Sequence, residues 1–221
     1  KALTYSGNYS NAEYAFKTAL NLNQNNSEIF NGLGWVSYWI NLGQPYIKRN
    51  YSQSIQFFET AIKLNPQTWE SYYALAEGYR YLGDYNKSLE YFGKALEINP
   101  AHGAIYDAIG WVNYGLTVNN RYFSNFDKAR SYFQKAIQLD HDHYFSYNGL
   151  GWILNRESKY DEAINQFSKS IELYSNNPES YSGLAYAYRN LGQYNLSIEF
   201  NKKAIDLYPF EGNYYDRLGY T

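Results

Sequence analysis

Imidazole side chains occur three times in the 221 residues, at His102, His141 and His143, and two of them fall in the run LDHDHY. His and Asp together are donors for a divalent metal, so this run is the one place where metal-ligating types gather. The sequence holds no Cys, which removes disulfides and thiolate sites, and no carboxylate on a helix stands at ligand spacing from the pair. A solvated turn is the expected setting, with no metal and no cofactor. Nucleophile and phosphate-loop motifs are absent as well. GLGWVS at 32–37 and GLGWIL at 149–154 contain glycine pairs but lack the spacing of a dinucleotide or P-loop. The chain is therefore expected not to be an enzyme.

Charge excludes further classes. Nineteen basic residues against 21 acidic ones leave a formal −2, so no large electrostatic term favours nucleic acid or an anionic membrane. No apolar run approaches the roughly 20 residues that span a bilayer. A fifth of the residues are aromatic, 28 of them Tyr, and Met is absent along with Cys. Freedom from oxidisable sulfur suits a chain outside a cell or at its surface; an AT-rich coding sequence would produce the same Tyr and Asn excess in a cytoplasmic one.

The elements that must carry any site repeat along the chain. Aromatics at Phe30, Tyr72, Tyr106, Tyr147, Tyr181 and Tyr215 are 42, 34, 41, 34 and 34 residues apart. Each is followed by a small-residue step such as Leu33-Gly34, Leu75-Ala76 or Leu150-Gly151. A second aromatic series, Tyr9, Tyr51, Tyr85, Phe126, Tyr160 and Tyr194, keeps the same intervals. Seven residues after each stands Phe16, Phe58, Phe92, Phe133, Phe167 or, once, Asn201, with Ala or Ser three and ten residues on. Offsets of 3, 4 and 7 share one helix face, so each unit reads as two helices. Gly7, Gly83 and Gly192 mark the turn between them and Pro66, Pro100 and Pro209 the exit. Ser10, Ser52, Asn86, Asp127, Asp161 and Asn195 are placed as N-caps, Ser10 with Glu13 as a capping box.

WESYYALAEGYRYLGDYNKSLEYFGKALEINP and PESYSGLAYAYRNLGQYNLSIEFNKKAIDLYP follow the pattern W-x₂-L-G-x₂-Y, A-x₃-F and a terminal P almost slot for slot. The chain resembles the tetratricopeptide repeat (TPR) family along its whole length. That resemblance implies an all-α, right-handed α-solenoid of antiparallel helix pairs, a single domain over 1–221. Its units are 1–26 (a second helix alone), 27–68, 69–102, 103–143, 144–177, 178–211 and 212–221 (a first helix alone). The turns containing GQPYIKRNYS and VNNRYFSNF are longer than the others.

In the family's geometry the first helix of each unit lines a concave wall. The resemblance then implies Trp35, Glu77, Trp111, Trp152, Tyr186 and Tyr220 along it, with Tyr38, Arg80, Tyr114, Asn155 and Arg189 one turn on and Tyr73 beside them. Such rings suit a peptide or sugar ligand, and they equally suit packing against a neighbouring helix. The Lys and Asn ladder of peptide clamps that hold a terminal carboxylate is missing. Twelve of the 28 Tyr fall in signature core slots, among them Tyr9, Tyr51, Tyr194 and Tyr215; the other sixteen are expected to make exposed amphipathic surface.

Five N-x-S sequons, at Asn8, Asn25, Asn50, Asn86 and Asn195, slightly exceed chance, with Asn8 and Asn50 the better placed acceptors of an N-linked glycan. The front carries Tyr9, Ala12, Phe16 and Ala19 without a first helix, and the back carries Tyr215, Leu218, Gly219 and Tyr220 without a second. These halves are complementary. The favoured expectation is an extracellular interaction scaffold whose copies complete one another head to tail into a fibril. The alternative is an adaptor module of a longer protein, binding a partner peptide.

Overall fold

The computed structural model describes residues 2–42, 51–119, 126–209 and 214–215. Eleven helices and no strand occur among them. By packing, the chain divides into unit 1, Lys1–Ala101, and unit 2, His102–Thr221. Unit 1 contains α1 (Ala2–Leu22), α2 (Ser27–Leu42), α3 (Ser52–Leu64), α4 (Trp69–Tyr81) and α5 (Tyr85–Ile98). Unit 2 contains α6 (Gly103–Asn119), α7 (Asp127–Leu139), α8 (Tyr144–Arg156), α9 (Tyr160–Leu173), α10 (Pro178–Asn190) and α11 (Tyr194–Leu207). Within each unit consecutive helices pack together. First helices also touch one another, α2 with α4 in unit 1 and α6 with α8 with α10 in unit 2, so each unit has a wall made of first helices.

One contact recurs in the core. Phe58, Phe92, Phe133 and Phe167 have no exposed surface. Phe133 lies between Gly110 of α6 and Gly149 of α8, and Phe167 between Gly151 of α8 and Gly183 of α10; a methyl group at any of these glycines would come closer than 3.0 Å to the ring. The ring from a second helix thus seats on the first helix of its own repeat and on that of the next. Burying each ring is worth about 3 kcal/mol, and close packing makes the empty glycine surface part of the fit.

Turn chemistry follows the sequence at two of three places. Gly83 and Gly192 adopt φ of 80° and 76°, the left-handed conformation that ends α4 and α10. Ser158 takes the same role after α8 with φ 61°, at a cost of about 1 kcal/mol that Gly would avoid. The exits behave alike with or without Pro. Asn65 and Tyr208, each before a Pro, are extended at φ −142° and −144°, and so are Asp140 and Tyr174, which precede His141 and Ser175.

Three expectations are corrected. From α3 onward the caps of the second helices lie one or two residues before the expected ones: Asp84 accepts from the Lys87 amide at 3.2 Å at the start of α5, which leaves Asn86 inside the helix. From α3 onward the second aromatic occupies the cap (Tyr51, Phe126) or the first helical position (Tyr85, Tyr160, Tyr194). Secondly, α1 continues back to Ala2, so Gly7 makes no turn and Ser10 no capping box; the short segment ahead of Ser10 joins the helix behind it. Thirdly, the Tyr core slots divide. Tyr51 is buried, but Tyr194 and Tyr215 are 54% and 49% exposed, whereas Tyr38 and Tyr214, outside those slots, are buried. A ring at a helix start is covered only where a neighbouring helix reaches it.

Candidate partner-binding wall

In unit 1 the wall is partly closed. Trp35 is half-buried, with its edge on the core ring of Phe58 (5.5 Å between centroids) and Tyr73 beside it at 6.4 Å. Tyr38, expected to face a partner, is only 3% exposed; Tyr51 and Tyr81 close over it at 5.4 and 5.6 Å, so it belongs to the core. Burial pushes its hydroxyl well above the ordinary tyrosine range, and the Glu77 carboxylate adds to this. Glu77 is buried too. Arg80 donates to it twice, from Nε at 2.9 Å and Nη2 at 2.7 Å, across one helical turn. Burial alone would weaken the Arg80 charge; the carboxylate outweighs it and holds the guanidinium pKa above its usual value.

The wall of unit 2 presents a row of aromatic side chains. Trp111 from α6, Trp152 from α8 and Tyr186 from α10 are all half-buried. Trp111 rests edge-on against Phe133 at 5.3 Å and Trp152 against Phe167 at 5.6 Å, while Trp152 and Tyr186 are 6.1 Å apart. Packing and presentation are therefore combined: one edge of each indole is fixed by the core phenylalanine, and part of the ring remains open. Tyr114 continues the row, half-buried between Trp111 at 5.6 Å and Phe126 at 5.6 Å. Arg189 lies over the Tyr186 ring, 5.2 Å from its centroid.

Polar wall residues are spent on structure. Asn148 donates to Ser180 at 2.8 Å and Asn155 to the Gly183 carbonyl at 3.0 Å, both tying α8 to α10. Asn155 is accordingly buried and offers a partner nothing. Sequence reasoning missed Phe145, which is 47% exposed and lies seven residues before Trp152 on the same face of α8. That spacing was the available signal.

The LDHDHY run also differs from expectation. His141 is exposed, but His143 is half-buried, with Nε2 3.7 Å from Asp107 of α6 and Nδ1 3.5 Å from Asp140. Burial disfavours its charge, and the two carboxylates prevail, so its pKa stands above the ordinary histidine value. Ser146 donates to Asp107 at 2.7 Å, fixing the start of α8 to α6. No group of three or more His, Cys, Asp or Glu positioned for a metal ion occurs among the described residues.

Of the end residues, Tyr9, Ala12, Phe16 and Ala19 are half-buried on α1. Tyr215 is exposed, and Tyr214 beside it is buried, donating to Glu179 at 2.6 Å. Leu218, Gly219 and Tyr220 lie outside the described residues, as do Asn50, the Asn8 side chain and most of both longer turns. Asn25, Asn86 and Asn195 are exposed. No helix among the described residues is long and apolar enough to cross a membrane.

Stacked helix pairs with a wall of first helices define an α-solenoid interaction scaffold. Tetratricopeptide repeat profiles match residues 36–68, 67–142, 132–165, 153–192 and 178–211, and the chain belongs to the tetratricopeptide repeat family. Among solved structures it is similar to a chain of the APC/C hetero-tetramer Cut9–Hcn1, with TM-score 0.82 and 17% identity over 96% of this chain and 39% of that one. It is also similar to TTC0263, a thermophilic TPR protein of Thermus thermophilus (TM-score 0.69, 20% identity, 84% and 97% covered). A third likeness is to YrrB, described as a TPR protein with an unusual peptide-binding site (TM-score 0.54, 21% identity, 90% and 94% covered). The chain thus spans about two-fifths of the Cut9–Hcn1 chain it matches. A comparison with curated proteins finds no match.

Proposed function

We propose that the chain is a non-enzymatic scaffold that holds an extended segment of a partner protein against the unit 2 wall. The observation that carries this is the row Trp111, Trp152 and Tyr186, one ring from each successive first helix, with the two indoles fixed edge-on by core phenylalanines. Rings already held in place lose little freedom on binding, which is why Trp and Tyr dominate interface energies. YrrB, with its peptide-binding site, supports the reading by likeness of fold. Peptides selected against the whole chain from a random display library are expected to bind Trp152→Ala about 30-fold more weakly, near 2 kcal/mol, and Trp111→Ala with a similar loss. Circular dichroism should report an unchanged helix content. Undiminished affinity in both variants would remove the wall from the interaction.

A second reading is favoured by α1. Ala129, Phe133 and Ala136 are at most 1% exposed, as are Ala163, Phe167 and Ser170, but their counterparts Ala12, Phe16 and Ala19 are only half-buried. This face fits a first helix, and residues 212–221 of another copy carry the slots of one. Head-to-tail assembly of copies would cover it and would continue without closing. Sedimentation of the 221-residue chain at rising concentration is expected to show a growing series of oligomers, reduced by Phe16→Asp. A single monomeric species at millimolar concentration would sink this reading and leave the wall untouched.

A further inference from the structure

We propose that Tyr144 and Tyr174 form an oxidative modification site, at which their two phenol rings couple into a dityrosine that ties the start of α8 to the end of α9. The bond lies within one repeat and does not depend on what the wall binds.

Tyr144 is the first residue of α8, and Tyr174 caps the C-terminal end of α9. Their ring centroids are 4.6 Å apart, with 33° between the planes. One residue sets both backbones: the Ser170 hydroxyl donates to the Tyr144 carbonyl at 2.9 Å, and the Tyr174 amide donates to the Ser170 carbonyl at 2.9 Å. Ser170 has no exposed surface, so the pair is anchored in the core and is not a chance meeting of surface side chains. Tyr174 is 42% exposed and Tyr144 half-buried, which leaves the first ring open to an oxidant with the second at hand. Other neighbouring tyrosines stand further apart. Tyr79 and Tyr91 stack at 5.5 Å, and Tyr38, Tyr51 and Tyr81 meet at 5.4 to 5.6 Å around the core of unit 1.

Composition directs oxidation to such rings. Without Cys or Met no sulfur intercepts oxidising equivalents, and 28 Tyr make phenol the commonest oxidisable group of the chain. Each phenol loses one electron and one proton to become a neutral phenoxyl radical. Burial, then the neighbouring Tyr174, push the Tyr144 hydroxyl up to about 12, so at neutral pH its proton leaves together with its electron. The two radicals join through ring carbons adjacent to those bearing oxygen, and the hydrogens on the joined carbons pass to the oxygens as the rings regain aromaticity. The chain thereby loses two hydrogen atoms. Hydrogen peroxide, acting through a peroxidase, takes up the two electrons and two protons and becomes two waters. Rings already 4.6 Å apart need little movement to bond. The new bond closes residues 144 to 174 into a loop, which takes freedom chiefly from the unfolded chain.

The test exposes the whole chain, at low concentration, to a haem peroxidase and limiting hydrogen peroxide. The expected product is a monomer lighter by two hydrogen atoms, with dityrosine fluorescence and a proteolytic fragment in which Tyr144 is joined to Tyr174. That monomer should unfold at a higher urea concentration than the untreated chain. Tyr144→Phe and Tyr174→Phe keep the stacked rings but lack one phenol, so each should lose the intramolecular product while circular dichroism stays unchanged. Tyr91→Phe, beside Tyr79, should keep it. Undiminished monomer fluorescence in both of the first two variants would overturn the site, as would a fragment joining a different pair. Coupling only between molecules, through exposed rings such as Tyr14 and Tyr194, would overturn it too. So would the absence of dityrosine from a chain treated under conditions that couple free tyrosine. An unshifted urea midpoint in the joined monomer would overturn the bond as a tie between α8 and α9.

Discussion

Replacing Phe133 with Ala is expected to cost about 3 to 5 kcal/mol of stability, at the upper end of what truncating a core aromatic costs. The ring has no exposed surface, is edge-packed by Trp111 at 5.3 Å, and is flanked by Gly110 and Gly149. The cost of such a truncation depends on how far the surroundings can collapse. Two glycines have no side chain to move into the vacated space, and their helices are held apart by the rest of the stack. Urea unfolding followed by circular dichroism measures the change. A loss below about 1.5 kcal/mol would mean that the site relaxes and that the glycine clasp is not a rigid frame.

The converse substitution, Gly183→Ala, is expected to cost about 2 to 3 kcal/mol although Ala is the better helix former. Its methyl would come closer than 3.0 Å to Phe167, whose other face is already against Gly151. If the clash is the cause, Phe167→Leu should make Gly183→Ala nearly harmless, so that the two costs are far from additive. Gly93→Ala serves as control. It lies within α5 with no atom within 4 Å of the added methyl, and it should stabilise by about 0.5 to 1 kcal/mol. Additive costs at 167 and 183 would show that Gly183 is needed for its backbone rather than for space.

The fold was legible because each unit repeats a large ring and small residues at helical offsets, and no other periodicity competes with 3.6. Phe133, Phe167 and Gly151 fall where the pattern puts them, while Gly149 and Gly183 stand two positions ahead of the small-residue step and outside it. Tyrosine was the source of most misplacements. With an apolar ring and a polar tip it is at home at any depth, so its type does not say whether a given copy is covered. Tyr38 is buried because Tyr51 and Tyr81, far from it in sequence, meet over it, and no local pattern announces that. The same holds for the arginines. Arg80 and Arg189 occupy corresponding slots, yet one is joined to Glu77 and the other is not, because that slot holds Glu in one repeat and Tyr186 in the other.

The glycine clasp also bears on how such a chain can change by duplication and loss. Phe133 and Phe167 each connect the second helix of one repeat to the first helix of the next, so cutting at the turn between repeats parts the ring from half of its seat. Cutting at the turn inside a repeat parts it from the other half, the glycine of its own first helix. Neither cut leaves a ring with its whole seat, so gain or loss of a repeat must re-form one seat at the new junction. Asn201 is buried where the others have Phe, and by sequence register the position answering Gly149 and Gly183 after it is Arg217. After Phe58 and Phe92 the same position holds Ala74 and Ala108, so the seat admits a small side chain in place of glycine where the ring is kept.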